Sequence, residues 1–232
     1  MSIRRHRVTR WRSMSVAGWI WLVLLATSSL AAEPVNPEGA KPAGVRMFTC
    51  GHSFHVFVYR MLPSIAKSAG IEDHQPVGLS AIGGSRVIQH WDVPEEKNLA
   101  RAALAAGKVD VLTLSPIWLP DDGIARFAKL GHEHNPSIRV LVQEYWLPND
   151  TYEPIYPLDV RKGINHNETK LADLRDAQGR YRRDLETAVQ AINDELKAPV
   201  IRIVPVGLAA VALREKLAAG KVPGLTQPWD LF

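Results

Sequence analysis

Two segments of this chain, 109–115 (VDVLTLS) and 138–146 (IRVLVQEYW), are apolar runs with little polar alternation. Such runs mark strands buried on both faces, the pattern of parallel sheets. Parallel neighbours cannot be joined by a hairpin; each needs a crossover of a dozen or more residues, usually a helix. The chain supplies those crossovers. Strand-like 45–50 (VRMFTC) leads into a helix-like segment over 55–68, with Val58, Met61, Leu62 and Ile65 at i, i+3, i+4, i+7 spacing. Strand-like 76–82 (PVGLSAI) precedes an Ala-rich helix ended by Gly107, and 109–115 precedes a helix that Asp121 or Asp122 can cap. After 138–146 comes an irregular stretch over 147–169, of a length usually tied to function. A helix with the stripe Leu185, Ala188, Val189, Ile192, Leu196 follows, then strand-like 200–206 and a helix ended by Gly220. Five β-α units with buried strands predict an α/β fold, a parallel sheet covered by helices on both faces. Sites in such sheets lie beyond the carboxyl ends of the strands, which singles out Ser53, Gly83, Gly84, Ser115 and Gln143.

The first 32 residues follow another logic. Arg4, Arg5, Arg7, Arg10 and Arg12 precede an apolar run over 16–26 and the small residues TSSLAA, with no acidic residue among them. That is the order of a secretory signal peptide cleaved near Ala31 or Ala32. The apolar run is shorter than the roughly 20 residues that cross a bilayer. The expected product is secreted or periplasmic, with no stable membrane span after cleavage. Residues 33–44 (EPVNPEGAKPAG) read as a flexible lead-in, and 45–232 as the folded domain. The formal charge of +4 is more than accounted for by the five leader arginines, so the remainder sits near −1. No basic stripe survives to bind nucleic acid. Cys50 is the only cysteine, so no internal disulfide forms, and it reads as a small apolar residue at the end of the first strand.

The segment FTCGHSF places Ser53 at the corner between the first strand and the first helix, with Gly51 allowing a tight turn before it. A serine there is either a helix N-cap or a nucleophile held against the unsatisfied N–H groups of the first helical turn. FTCGHSF resembles the first block of the SGNH (GDSL-like) hydrolases, in which the nucleophilic Ser follows strand one. SAIGGSR resembles their second block, a glycine after strand two whose N–H joins the oxyanion hole, with Gly84 the better match and Gly83 the second. The resemblance implies a flavodoxin-like three-layer α/β/α sandwich with a five-stranded parallel sheet. It also implies a serine esterase acting through an acyl-enzyme on Ser53, with the N–H groups of Ser53 and Gly84 as oxyanion donors. No metal or organic cofactor is implied. A small acyl ester or acetylated carbohydrate is the implied substrate class.

Three positions depart from the family pattern. His52 stands where the family has Asp or Asn. The third block, expected to be Gly-x-Asn-Asp, is LSPIWLPDD, with Trp118 near the position of the Asn that donates to the oxyanion. Ser115 or the Trp118 indole is the available substitute. The family's Asp-x-x-His has no counterpart before Asp230-Leu231-Phe232; Asp230 is expected to begin it or precede it, with the domain C-terminally incomplete and the base beyond Phe232. Gln143 and Glu144 end strand four, and one of them is expected to contact substrate or base. His90, beside Trp91, is the in-chain candidate for a base, whereas His132 and His134 at i, i+2 share no helical face and make no metal pair. Asn149 and Asn167 begin glycosylation sequons, relevant only in a eukaryotic secretory pathway. Two rival readings accompany the esterase. One is a non-catalytic carbohydrate-binding or pseudo-enzyme module using Trp91, Trp118, Tyr145 and Trp146 for stacking. The other is an enzyme using His90.

Overall fold

The computed structural model of the chain describes residues 42–152 and 165–231. The leader (1–32), nearly all of the lead-in and the middle of the 147–169 stretch lie outside the described residues. The order of elements is β1 (Arg46–Gly51), α1 (Val56–Ser68), β2 (Gln75–Ala81), α2 (Val87–Trp91), α3 (Leu99–Ala105), β3 (Val111–Leu114), α4 (Asp122–His134), β4 (Arg139–Gln143), α5 (Leu171–Leu196), β5 (Ile201–Val204) and α6 (Val206–Ala218). All five strands pair in parallel in the order β2-β1-β3-β4-β5. That is the flavodoxin-like order, and it reverses direction between β1 and β3, the crevice where such sheets take ligands.

The apolar runs are buried as expected. Phe48, Cys50, Leu112, Leu114, Val140 and Val142 are at most 1% exposed. They form one core with Leu104 of α3, Ile124 and Phe127 of α4, and Tyr181 and Leu185 of α5. Alternation along the strands sends Thr49, Thr113 and Gln143 to the other face, where His55 at the head of α1 meets Thr113 and Gln143. The stripe on α1 is less covered than its spacing suggests, because no residue of that helix is fully buried; Met61 and Ile65 stay about half exposed at 51% and 52%.

Two features were not legible in the sequence. The short α2 follows the glycine pair, and α5 extends well upstream of its stripe, burying Leu174, Ala177, Gln178 and Tyr181 as well. Tyr181 crosses the core to donate its hydroxyl to the Pro116 carbonyl (2.9 Å), which ties α5 to the loop after β3. Asp121, rather than Asp122, caps α4 through the Gly123 N–H (3.0 Å), and the same carboxylate accepts from Val87 N–H (2.6 Å) and Ile88 N–H (2.9 Å) at the start of α2. One side chain thus fixes the loop after β2 to the loop after β3. Among the described residues no helix is long and apolar enough to cross a membrane.

Candidate functional site

β1 ends in a turn made close by Gly51. A Cβ there would lie 2.7 Å from the His55 ring, so only glycine admits that approach. The His52 carbonyl accepts from both His55 N–H (2.9 Å) and Val56 N–H (3.1 Å), which winds the chain directly into α1. Ser53 lies within this turn and is exposed. His55, not Ser53, occupies the N-cap position, and no side chain caps the helix. The capping role that would make Ser53 structurally ordinary is therefore not filled by it.

A cavity of about 340 Å³ opens above these strand ends. Ser53 and Gly84 both line it, so the loops after β1 and β2 bring the two residues together. Gly84 has φ +62°, a left-handed conformation that L side chains resist, with open space where a Cβ would sit. Its constraint is therefore conformational, not steric. Gly83 has open space as well. Trp118 and Ile117 from the loop after β3 form one wall, and Tyr145, Pro148 and Asn149 from the segment after β4 form another. A larger open groove of about 790 Å³ runs along α5 and β5; it holds none of the residues at the strand carboxyl ends near Ser53.

Three buried histidines stand near these loops, and of them His52 lines the cavity. His52 Nδ1 accepts from the Phe54 N–H (3.3 Å), so Nε2 carries the proton and donates to Ser115 Oγ at 2.7 Å. His55 Nδ1 faces Gln143 Oε1 at 2.5 Å and therefore donates, leaving Nε2 to accept at Thr113 Oγ1, 2.9 Å away. His90 sits between two hydroxyls, Ser80 Oγ and Ser85 Oγ, both at 2.7 Å. Burial pushes the His52 and His90 rings down to about 4, with nearby imidazoles adding to the effect. Burial also lowers His55. The rings are neutral at ordinary pH, and both nitrogens of each are engaged with groups other than Ser53.

The remaining candidates separate. Gln143 lies one layer beneath the site, clamped by His55 and donating to the Phe54 carbonyl (3.4 Å). Glu144, the next residue, faces the other way and is fully buried. It accepts from Gln178 Nε2 (2.7 Å) and Arg182 (3.3 Å), which is a fold contact between β4 and α5. His90 is 1% exposed and does not line the cavity. Ser115 is spent on His52 and is 2% exposed. Asp230 is exposed and accepts from the Thr226 and Gln227 N–H groups (2.7 and 3.0 Å), capping its own terminal turn instead of facing Ser53; those bonds hold its carboxyl below the usual range. Trp91 packs on Phe127 and under the Arg101 guanidinium, away from the cavity. Cys50 is fully buried, and burial pushes its thiol up, out of reactive range. Among the described residues no group of His, Cys, Asp or Glu is arranged to hold a metal.

Sequence reasoning missed the turn Leu147–Pro148–Asn149–Asp150, closed by Asp150 N–H on the Leu147 carbonyl (2.9 Å). Both ends of it, Leu147 (φ 45°) and Asp150 (φ 58°), are non-glycine residues in the left-handed region, a conformation costing about 1–3 kcal/mol each. The surroundings impose it. Leu147 is 1% exposed, and the Asp150 carboxylate is clamped by Arg214 Nη1 (2.5 Å) and His166 Nδ1 (2.9 Å), while Arg214 Nη2 donates to the His166 carbonyl (2.9 Å). These three residues lie 16 to 64 positions apart, so no local pattern announces them. The strained turn carries Pro148 and Asn149 into the cavity of Ser53.

No protein-family model matches this chain. No curated protein matches it either.

Proposed function

We propose that this protein is an exported serine ester hydrolase of the SGNH type, acting on a small acyl ester or acetylated carbohydrate. The observation that carries the reading is the setting of Ser53: exposed in the first turn after β1, not used as a helix cap, and sharing one cavity with the left-handed Gly84. In this reading Ser53 Oγ attacks the ester carbonyl carbon, and the carbonyl electron pair moves to oxygen. The N–H groups of Ser53 and Gly84 stabilise that charge. The Ser53 proton passes to a general base and then to the departing alcohol as the carbon–oxygen bond breaks, leaving an acyl-serine that water hydrolyses. His52, His55 and His90 are poor choices for the base, since each ring is committed on both nitrogens. The reading assigns that role to an imidazole other than these three. Export rests on the arginine-rich, apolar N-terminus.

A carbohydrate-binding module without catalysis is the second reading. It is favoured by the aromatic walls of the cavity, Trp118 and Tyr145, with Trp146 packed edge-on against Phe54 at 5.0 Å. The two readings part on Ser53→Ala, made in protein that keeps any native residues following Phe232. The expected result is a fall of at least about 10³-fold in hydrolysis of p-nitrophenyl acetate with an unchanged Tm. Hydrolysis that survives the substitution removes Ser53 as nucleophile; a wild-type protein that binds acetylated sugar without turning it over leaves the binding module.

A further inference from the structure

We infer that Asn149 is a catalytic residue, its side-chain N–H completing the oxyanion hole that the loop after β3 leaves short of a donor. The inference rests on the esterase reading of Ser53. It starts from a gap: LSPIWLPDD holds no side-chain amide, the Ser115 hydroxyl is held by His52 at 2.7 Å, and the Trp118 indole nitrogen is buried in the wall. The esterase reading assigns two backbone donors, from Ser53 and Gly84, and no side-chain donor.

Asn149 lines the same cavity as both. Its amide makes no hydrogen bond among the described residues, whereas its neighbour Asp150 is held on both carboxylate oxygens. Reach is sufficient. β1, which carries Ser53, and β4 lie two strand spacings apart, about 10 Å, within the roughly 13 Å that the four residues from Gln143 to Leu147 span when extended, before the turn begins. The donor thus enters from the β4 side while Gly84 enters from the β2 side, with Ser53 between them. The arrangement is also rigid. The turn is fastened at one end by the buried Leu147 and at the other by the Arg214–Asp150–His166 cluster, each at a residue forced into left-handed backbone. Backbone strain of this kind persists where the surroundings over-determine it and is concentrated at functional sites. An amide fixed in place before reaction needs no reorganisation as charge develops, which is the condition under which an oxyanion donor is effective.

As Ser53 Oγ bonds to the carbonyl carbon and the π pair moves to oxygen, the alkoxide accepts three N–H groups: Ser53, Gly84 and Asn149 Nδ2. When the tetrahedral species collapses, the pair returns to form the acyl carbonyl and the alcohol leaves with the proton held by the base. Asn149 gives up no proton and forms no covalent bond.

The test, in protein that keeps any native residues following Phe232, compares wild type, Asn149→Ala, Asn149→Asp and Ser53→Ala on p-nitrophenyl acetate, with the inhibition constant of phenylboronic acid, which forms a tetrahedral adduct on a nucleophilic serine, as a second readout. Removal of one such donor is expected to lower kcat by about 10²–10³-fold with KM within about twofold. The boronate inhibition constant rises in parallel, and Asn149→Asp, which sets a negative charge beside the oxyanion, falls further. Asn149→Ala within twofold of wild type in both readouts, beside an inactive Ser53→Ala, overturns this assignment and leaves the nucleophile standing. A rise in KM alone makes Asn149 a ground-state contact and also overturns it. An inactive wild type, or an active Ser53→Ala, removes the esterase reading and this inference with it.

Discussion

Asp121→Ala tests the structural frame that aligns the loops after β2 and β3. The carboxylate is buried (6% exposed) and accepts three backbone N–H groups, from Val87, Ile88 and Gly123, at 2.6, 2.9 and 3.0 Å. Hydrogen bonds to a charged acceptor contribute about 1.5–3 kcal/mol each, so the three together are worth roughly 5–9 kcal/mol before desolvation. Removing the charge relieves a desolvation cost of several kcal/mol, and breaking a buried charged cluster leaves a net loss of about 3–5 kcal/mol. Water has little room to replace the carboxylate. The first turns of α2 and α4 already touch: a Cβ on Gly123 would lie 2.4 Å from Ile88 N. Asp121→Asn keeps one acceptor but turns an NH2 toward an N–H donor, for an expected loss of about 2–3 kcal/mol. Urea unfolding followed by far-ultraviolet circular dichroism measures both. Set against a total of about 5–15 kcal/mol for a domain of this kind, the alanine form should unfold at a markedly lower midpoint. A loss below about 1 kcal/mol for Asp121→Ala would refute the claim that this carboxylate joins the two loops.

Two further outcomes are expected. Acid should destabilise the fold through its histidines: the folded rings of His52 and His90 stay neutral down to about 4, while in the unfolded chain they protonate near 6.5. Stability is therefore whole above about pH 6.5 and falls as pH drops from there toward 4, by 1.36 kcal/mol per pH step for each ring, roughly 3 kcal/mol apiece, with His55 acting in the same direction; a flat unfolding free energy between pH 7 and 4.5 contradicts this. Gly84→Ala should cost about 1 kcal/mol in thermal or urea unfolding, since an L residue at φ +62° is strained by about 1–2 kcal/mol and regains part of that through a stiffer unfolded chain. A loss above about 3 kcal/mol would mean that the position is sterically closed, not open.

The sequence by itself determined the sheet. Runs such as 109–115 and 138–146 admit only strands buried on both faces, crossovers of helix length admit only parallel neighbours, and together they place Ser53 and Gly84 beyond the carboxyl ends of β1 and β2. Those inferences rest on interactions between residues a few positions apart and on burial, which leave a periodic trace. The last turns of strands were legible only in part. Alternation requires Gln143 and Glu144 to face opposite ways, but it does not say that Gln143 faces His55 and Glu144 faces α5. The tertiary structure alone decided what surrounds Ser53. His90 reads in the chain as a candidate base; folding gives His52, His55 and His90 two partners each and lowers their affinity for protons, because burial penalises the charged form. Asp230 reads as a residue that begins or precedes a catalytic motif, and only the fold shows that it caps its own turn. Asn149 reads as a residue in a loop. It enters the cavity because two residues are held in a backbone conformation that their own preferences oppose, Leu147 by its burial and Asp150 by Arg214 and His166 from distant parts of the chain. Long-range polar contacts of that kind form only when the chain closes on itself, and they leave no local pattern to read.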